Sequence, residues 1–264
     1  MDLRLDGKTA LVTGSTAGIG FAIAAGLASQ GAMVVVNGRT QRRVDDAMAR
    51  ILETQPDARL GGIVADVGTA KGADQIVARY PEIDVLVNSV GIFEAKPFVE
   101  IPDSDWIHFF DVNVMSGVRL TRAYLPRMRA ANWGRIVFIS SESGLHIPPE
   151  MVHYGVTKTA QIALARGIAE TLAGTGITVN SVLPGPTRSE GVGAFVEPLA
   201  QDRGLSEDAF EHQFFETMRP TSLIKRFATP EEVANMVVYI CSPAASATTG
   251  AALRVDGGVV RAIP

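Results

Sequence analysis

Short runs of apolar residues alternate with longer segments of helical periodicity along the chain. In the first helical segment Ile19, Ile23 and Leu27 recur every four residues, which places them on one face of a helix that ends at Gly31. The apolar runs predict buried strands at residues 9–13, 33–36, 62–65, 84–87, 135–139, 177–182 and 252–255. Such strands, separated by helices, predict an α/β fold: a doubly wound, seven-stranded parallel sheet with helices on both faces.

Composition narrows the class of protein. The 264 residues contain no obvious linker or repeat, so we expect a single domain over residues 1–264. A formal net charge of −4 without a basic stripe argues against nucleic acid as a partner. No apolar stretch reaches the ~18 residues that span a bilayer, and the N-terminal residues lack an export signal, so we expect no membrane and a cytoplasmic location.

Metal and disulfide chemistry are not suggested by the residues available. Cys241 is the only cysteine, which excludes a disulfide within the chain and a site built on several thiolates. The four histidines, at positions 108, 146, 153 and 212, lack the spacing of metal ligands. We therefore expect no metal site.

A glycine-rich loop follows the first predicted strand and leads directly into a helix. Residues 13–20 read Thr-Gly-Ser-Thr-Ala-Gly-Ile-Gly. Glycines at such a junction let the backbone turn tightly and approach a pyrophosphate, while the helix N-terminus offers free N–H groups. Three glycines also occur in purely structural turns, but the flanking strand and helix favour a dinucleotide site. The candidate cofactor-binding residues of this loop are Gly14, Ser15, Thr16, Gly18, Ile19 and Gly20.

Tyr154 and Lys158 form a candidate acid/base pair. Reduction of a carbonyl needs a hydride at carbon and a proton at oxygen. Tyrosine has an ordinary pKa of ~10. It therefore needs a nearby cation, which lowers this pKa, to exchange protons near neutrality. Four residues apart on a predicted helix, the two side chains share one face. A surface Tyr–Lys pair is the structural alternative. His153, the neighbouring candidate base, points about 100° away on the helix.

The spacing T-G-x-x-x-G-x-G resembles that of the short-chain dehydrogenase/reductase family. Similar motifs recur in order from about Leu5 to Val260, and Ser141 precedes Tyr154 by the thirteen residues typical of the family. The other matching segments are Asn88-Ser89-Val90-Gly91, Asn113, Tyr154-Gly155-Val156-Thr157-Lys158, Pro184-Gly185-Pro186-Thr187 and Val255-Asp256-Gly257-Gly258. Ser89 and Val90 depart from the family's N-N-A-G turn.

The resemblance implies roles for these residues. Tyr154 would be the catalytic acid/base, and Ser141 would hydrogen-bond the substrate oxygen. Lys158 would bind the nicotinamide ribose, and Asn113 would hold a water that links Lys158 to solvent. Further candidates for cofactor binding are Asp66 and Val67 at the adenine, and Asn88, Gly91, Pro184, Gly185 and Thr187 towards the nicotinamide.

The end of the second strand bears on cofactor choice. An acid there usually binds the adenosine ribose of NAD, whereas an arginine accommodates the 2′-phosphate of NADP. Gly38 stands where we expect the acid, and Arg39 follows it. We therefore predict NADP as the cofactor. NAD remains the alternative, because Arg39 also fits a solvated basic start to a helix and because Ala17 replaces a basic loop residue common in NADP-preferring relatives.

Residues 188–226 break the strand–helix rhythm and predict a substrate lid. Its apolar residues are Phe195, Leu199, Leu205, Phe210, Phe214, Phe215 and Met218. They favour an apolar or aromatic carbonyl substrate, unless they only pack the segment on the body or on another subunit. The resemblance also implies a homotetramer or dimer. A nucleotide-sugar epimerase or dehydratase and a non-catalytic dinucleotide sensor remain the alternative functions.

Overall fold

A computed structural model describes residues 3–189 and 206–263. Seven strands form one parallel sheet in the order β3-β2-β1-β4-β5-β6-β7, so the chain reverses its direction of winding between β1 and β4. The strands are β1 (Thr9–Val12), β2 (Met33–Gly38), β3 (Leu60–Val64), β4 (Val85–Asn88), β5 (Gly134–Ile139), β6 (Ile177–Pro184) and β7 (Ala252–Val255). The predicted doubly wound parallel sheet is confirmed.

Helices cover both faces of the sheet. They are α1 (Gly18–Ser29), α2 (Gln41–Thr54), α3 (Ala70–Arg79), α4 (Asp103–Phe110), α5 (Ser116–Ala131), α6 (Val152–Glu170), α7 (Glu207–Thr217) and α8 (Pro230–Cys241). The core on one face contains residues of α1, α2 and α8, and the core on the other contains residues of α3, α5 and α6. Among the described residues, no helix combines the length and apolar character needed to cross a membrane.

Burial on both faces explains the apolar strands. In β1, Ala10 and Val12 pack into one core and Leu11 into the other, because successive side chains of a strand point to opposite sides. Val35 in β2 and Leu86 in β4 join Leu11 in its core. A strand covered by helices on both sides therefore has no position for solvated side chains.

The strand ends differ from the sequence prediction where they approach the site. β2 continues to Gly38, and β6 continues to Pro184, because both strands remain paired beyond their apolar runs. The predicted lid is described only in part: Phe195, Leu199 and Leu205 lie outside the described residues. In the described part, Phe210, Phe214 and Phe215 of α7 form a small core with Phe227.

Candidate active site

The candidate site is a cavity of about 230 Å³ at the carboxyl ends of the strands. Ligands of open α/β sheets bind at this edge, where the strand order reverses. Its lining includes Ile19 from α1, Gly91 after β4, Ser141 after β5, Tyr154 and Lys158 on α6, and Thr187 after β6. The fold thus brings residues from all the predicted catalytic and nicotinamide segments except the one with Asn113 to a single cavity.

The glycine-rich loop has the geometry of a phosphate cradle. Gly14 adopts φ +62°, in the left-handed region that favours glycine. A Cβ on Gly20 would lie 2.4 Å from the carbonyl oxygen of Gly14, so only glycine fits there. Phe21 N donates to Ala17 O at the start of α1, which leaves the N–H groups of Gly18 and Ile19 ahead of the first helical hydrogen bond. These features fit a pyrophosphate at a helix N-terminus.

Ser15 supports this loop from within. Its hydroxyl donates to Val12 O at 2.7 Å and accepts from Asn37 N at 3.0 Å, and its amide donates to Asn37 O. The Asn37 side chain in turn accepts from Gly14 N at 3.1 Å. Ser15 is therefore engaged with the protein, and Asn37 is a supporting residue that the sequence analysis missed. A polar residue inside a buried strand was the available signal.

Packing at the end of β2 explains why residue 38 is a glycine. A Cβ at this position would lie 2.5 Å from Cγ2 of Thr16, so an acid cannot occupy it unless Thr16 moves. Arg39 beside it is exposed and forms no ion pair with any residue that the structure describes. Asp66 and Val67 follow β3 rather than end it, with the Asp66 carboxylate accepting from Gly68 N at 3.0 Å.

Lys158 is almost fully buried, with 4% of its surface exposed, beside Tyr154. Its Nζ donates to Ile139 O at 3.0 Å and to Gln161 Oε1 at 3.1 Å, and it lies 5.5 Å from the centroid of the Tyr154 ring. A Cβ on Gly91 would come within 3.1 Å of this Nζ. The predicted proximity of the Tyr154 and Lys158 side chains is thus seen, and both acceptors of the ammonium group are neutral.

Burial controls the protonation of this pair. Burial lowers the pKa of Lys158 to about 7, because removal from water disfavours the charged ammonium group. Burial also raises the pKa of the Tyr154 phenol above its ordinary value of 10.0, and the Ser141 hydrogen bond and Arg219 oppose that rise only in part. The pKa of Tyr154 is therefore raised, where the sequence analysis expected a nearby cation to lower it, and burial is the largest cause.

Asn113 lies in a single π-helical turn, Asp111–Met115, between α4 and α5. Its side chain accepts from Ile92 N at 2.7 Å and donates to Thr157 Oγ1 at 2.9 Å. Its backbone carbonyl accepts from Gln161 Nε2 at 2.6 Å. Gln161, which the sequence analysis missed, thus hydrogen-bonds both the backbone carbonyl of Asn113 and the Nζ of Lys158.

Ser141 lies two residues beyond β5 and caps a short 3₁₀ helix, Glu142–Gly144. Its hydroxyl donates to Glu142 Oε2 at 2.5 Å and accepts from Ser143 N at 3.1 Å. The hydroxyl of Ser140 donates instead to the backbone oxygen of Lys158, at 2.8 Å. Both serines line the cavity, and the Ser141 hydroxyl has a carboxylate partner that the spacing could not indicate.

Two further charged residues lie at this end of the cavity. Arg219 Nε donates to Glu142 Oε1 at 3.1 Å, and Arg219 Nη1 lies 3.7 Å from Glu150 Oε1. All three line the cavity, and Arg219 follows α7, 77 residues after Glu142. Sequence analysis missed them because nothing in their local spacing marks them as neighbours.

The remaining predicted residues lie at or beside the carboxyl ends of β4 and β6. Thr187 donates its hydroxyl to Gly185 O at 2.9 Å, and a Cβ on Gly185 would lie 2.7 Å from the backbone of Asp256. Asn88, the last residue of β4, is buried and donates from Nδ2 to Thr121 Oγ1 at 3.5 Å. Pro184 ends β6 at the cavity.

His153 points away from the reacting groups. Its ring lies 4.0 Å from the ring of Phe109, and burial lowers its pKa. Within residues 3–189 and 206–263, no cluster of three or more His, Cys, Asp or Glu side chains could hold a metal ion.

The arrangement of a helix N-terminus, a buried lysine, a tyrosine and a serine suits hydride transfer from a dinucleotide to a carbonyl. Residues 14–260 match a family model described as enoyl-(acyl carrier protein) reductase. The chain is 46% identical to the uncharacterized oxidoreductase YvaG of Bacillus subtilis (strain 168), over 100% of both chains. It is 34% identical to D-beta-hydroxybutyrate dehydrogenase of Cupriavidus necator, over 97% of this chain and 99% of the relative.

A solved structure extends the likeness to the whole fold. L-sorbose reductase from Gluconobacter frateurii, complexed with NADPH and L-sorbose, superposes with a TM-score of 0.93 and 31% identity over 100% of both chains. The two relatives of this chain are thus an oxidoreductase and a dehydrogenase, and its structural neighbour is a reductase complexed with NADPH. The protein belongs to the short-chain dehydrogenase/reductase family of oxidoreductases.

Proposed function

We propose that this enzyme interconverts a ketone and a secondary alcohol with NADP(H). The observation that carries the proposal is the convergence of Tyr154, Ser141 and the buried Lys158 on one cavity, next to the free N–H groups of α1. A dinucleotide-binding sensor would not require a phenol and a hydroxyl at the same cavity wall. A nucleotide-sugar epimerase or dehydratase is disfavoured by the glycine spacing and by the 264-residue length.

Tyr154 and Ser141 act on the substrate oxygen. When bound, the nicotinamide supplies a hydride to the carbonyl carbon or removes one from the alcohol. In reduction, the Tyr154 phenol gives its proton to the oxygen. The Ser141 hydroxyl turns from Glu142 Oε2 to donate its hydrogen bond to the same oxygen, which stabilises the developing negative charge. The C=O π bond breaks as the C–H and O–H bonds form, and oxidation of the alcohol reverses each step.

Lys158 restores the proton of Tyr154 and holds the nicotinamide ribose. Its ammonium is fixed by Ile139 O and by Gln161, which is itself fixed by Asn113 O. With a pKa of about 7, Lys158 can gain and lose a proton near neutrality. Asn113 and Gln161 therefore act through the position of Lys158.

Arg39 supports a preference for NADP over NAD. It is exposed beside Gly38, at the end of β2 where an acid would otherwise bind the adenosine ribose. A guanidinium matches a phosphate in charge and geometry. L-sorbose reductase, similar over its full length, is complexed with NADPH. Close packing against Thr16 explains the glycine at position 38 without reference to the cofactor, so Gly38 is not evidence for NADP. The proposed preference for NADP therefore rests on Arg39.

Residues 188–226 are proposed to cover the substrate. Phe214 and Met218, together with Phe93 and Phe227, line the cavity, which supports an apolar part of the substrate. Phe210 and Phe215 pack into the small core of α7 instead. The predicted apolar roof is therefore formed, in the described part of the segment, by only two of its residues.

We propose a homo-oligomer, a tetramer or a dimer, in which the outer face of α6 is buried. Gly167 on α6 has nothing within 4 Å of the position a Cβ would take, and Val156 on the same helix is 39% exposed. Light scattering tests this: a Gly167→Arg variant should dissociate and keep the circular dichroism of the folded chain, with a lower thermal midpoint because the stabilising interface is lost. A wild-type monomer at micromolar concentration would contradict it.

A screen of ketones and alcohols with NADPH and NADH tests the function. We expect loss of nicotinamide absorbance with NADPH and a ketone, and a lower kcat/KM with NADH. Preference for NADH would support the NAD-dependent alternative. Tight dinucleotide binding without turnover of any carbonyl or alcohol would support a sensor.

A further inference from the structure

Three charged side chains form one side of the cavity, which we call the polar wall: Glu142, Glu150 and Arg219. Glu142 and Arg219 are buried, with side chains 6% and 10% exposed, and their contact is 3.1 Å long. Glu150 is 35% exposed and lies 3.7 Å from Arg219. Taking charges out of water is costly unless they are paired, so this wall is a built feature of the site.

The polar wall carries an excess of negative charge. Arg219 is shared between two carboxylates, and its Nη1 also donates to Met218 O at 2.9 Å. Lys158, the other cation at the cavity, donates to Ile139 O and Gln161 instead. An anionic substrate would therefore meet two carboxylates and a guanidinium that is already engaged.

Hydrogen-bond donors on the substrate suit this wall best. Glu142 Oε2 already accepts from Ser141 Oγ, Ser143 N and Ser143 Oγ, whereas its Oε1 has Arg219 as its partner within the described chain. The Glu150 carboxylate accepts no hydrogen bond from any residue of the described ranges. A carboxylate only accepts when ionised, so an O–H group is its natural neutral partner.

The size of the cavity limits the substrate. Ligand pockets ordinarily span roughly 300–1,000 Å³, and this one of about 230 Å³ must also receive the nicotinamide ring. Because Glu142 contacts Ser141 directly, the wall begins one side chain from the group that binds the carbonyl oxygen. Hydroxyl groups that reach it must therefore lie close to the carbonyl.

We propose that the substrate is a small uncharged hydroxyketone, or the corresponding polyol, whose hydroxyl groups donate to Glu150 and Glu142. This rests on the proposed function and names the substrate class of the same site. The apolar lining residues Phe93, Phe214, Met218 and Phe227 contact the carbon chain. The polar wall therefore favours a substrate with hydroxyl groups beside the carbonyl over the apolar or aromatic substrate expected from the sequence.

Four-carbon ketones of matched size provide the test. We expect kcat/KM with NADPH to be at least tenfold higher for 1-hydroxy-2-butanone and erythrulose than for 2-butanone, and lowest for the acetoacetate anion. Glu150→Gln should reduce the ratio between 1-hydroxy-2-butanone and 2-butanone about tenfold. Glu94→Gln is the matched control, because this carboxylate pairs with Lys96 outside the cavity, and it should leave the ratio unchanged.

The outcomes separate the substrate class from the function itself. Equal use of 2-butanone and its hydroxylated relatives, or preference for acetoacetate, overturns the inference while the proposed function stands. Binding is measured independently by calorimetry on the NADPH-loaded Tyr154→Phe protein. If no ketone is turned over but erythrulose still binds in preference to 2-butanone, the proposed function fails and the substrate class stands; without such a preference both fail.

Discussion

The two ends of the cavity differ in how a buried cation is stabilised. At the cofactor end, Lys158 is held by two neutral acceptors, and burial brings its pKa to about 7. At the substrate end, Arg219 and Glu142 pair directly at 3.1 Å. The pKa of the lone Lys158 ammonium lies where it can serve proton transfer, whereas Arg219 and Glu142 compensate each other's burial and can serve recognition.

The largest effect is expected when the proton donor between the cofactor end and the substrate end of the cavity is removed. Tyr154→Phe should lower turnover by ~10² or more while leaving NADPH affinity nearly unchanged, because only the phenolic O–H is lost. Stopped-flow kinetics and cofactor titration measure the two quantities. Tyr124→Phe is the matched control: this buried hydroxyl donates to Tyr80 O at 2.9 Å, far from the cavity lining, so its loss should affect stability and not turnover. Normal turnover in Tyr154→Phe would rule out the mechanism.

A change at the adenosine part of the cofactor end is expected to be selective. A charge-assisted contact with a phosphate contributes roughly 1–3 kcal/mol. Arg39→Ala should therefore weaken NADPH about ten- to a hundredfold and barely change NADH, as measured by fluorescence titration. Arg42→Ala, which removes an equally exposed arginine paired with Asp46, should have the smaller effect. Equal weakening of both cofactors by Arg39→Ala would contradict the assignment.

The smallest expected effect tests the titration of Lys158 itself. Lys158 is charged below its pKa, so ketone reduction that needs the ammonium group should decline as the pH rises through about 7. Gln161→Glu places an anion at the acceptor and should raise the pKa of Lys158, which moves this decline to higher pH by about one unit. Gln161→Leu removes the acceptor and should move it to lower pH.

The pH dependence of kcat/KM for reduction measures this shift. Both variants remove the hydrogen bond from Gln161 Nε2 to Asn113 O, so the comparison between them controls for its loss. They differ in the acceptor for Lys158, which Glu keeps and charges and Leu removes. Identical profiles for wild type and both variants would show that Gln161 only fills space.

Local spacing determined much of the cofactor end. The apolar runs predicted all seven strands, and the turn of a helix brings Tyr154 and Lys158 to one face without reference to the rest of the chain. The glycine of the phosphate loop is similarly local, because a Cβ on Gly20 would meet Gly14 O six residues earlier. Contacts this short in sequence follow from backbone geometry, so they can be predicted from the order of residues.

Tertiary packing alone decided the rest. Gln161 meets Asn113 across 48 residues, and Arg219 meets Glu142 across 77 residues, only because the intervening strands and helices place them together. The effect of desolvation on Tyr154 and Lys158 is equally non-local, since burial depends on every element packed around them. The sequence by itself thus determined the fold and identified candidate groups for the reaction. The polar wall and the protonation of the catalytic pair depend on distances and solvent exclusion that exist only in the folded chain.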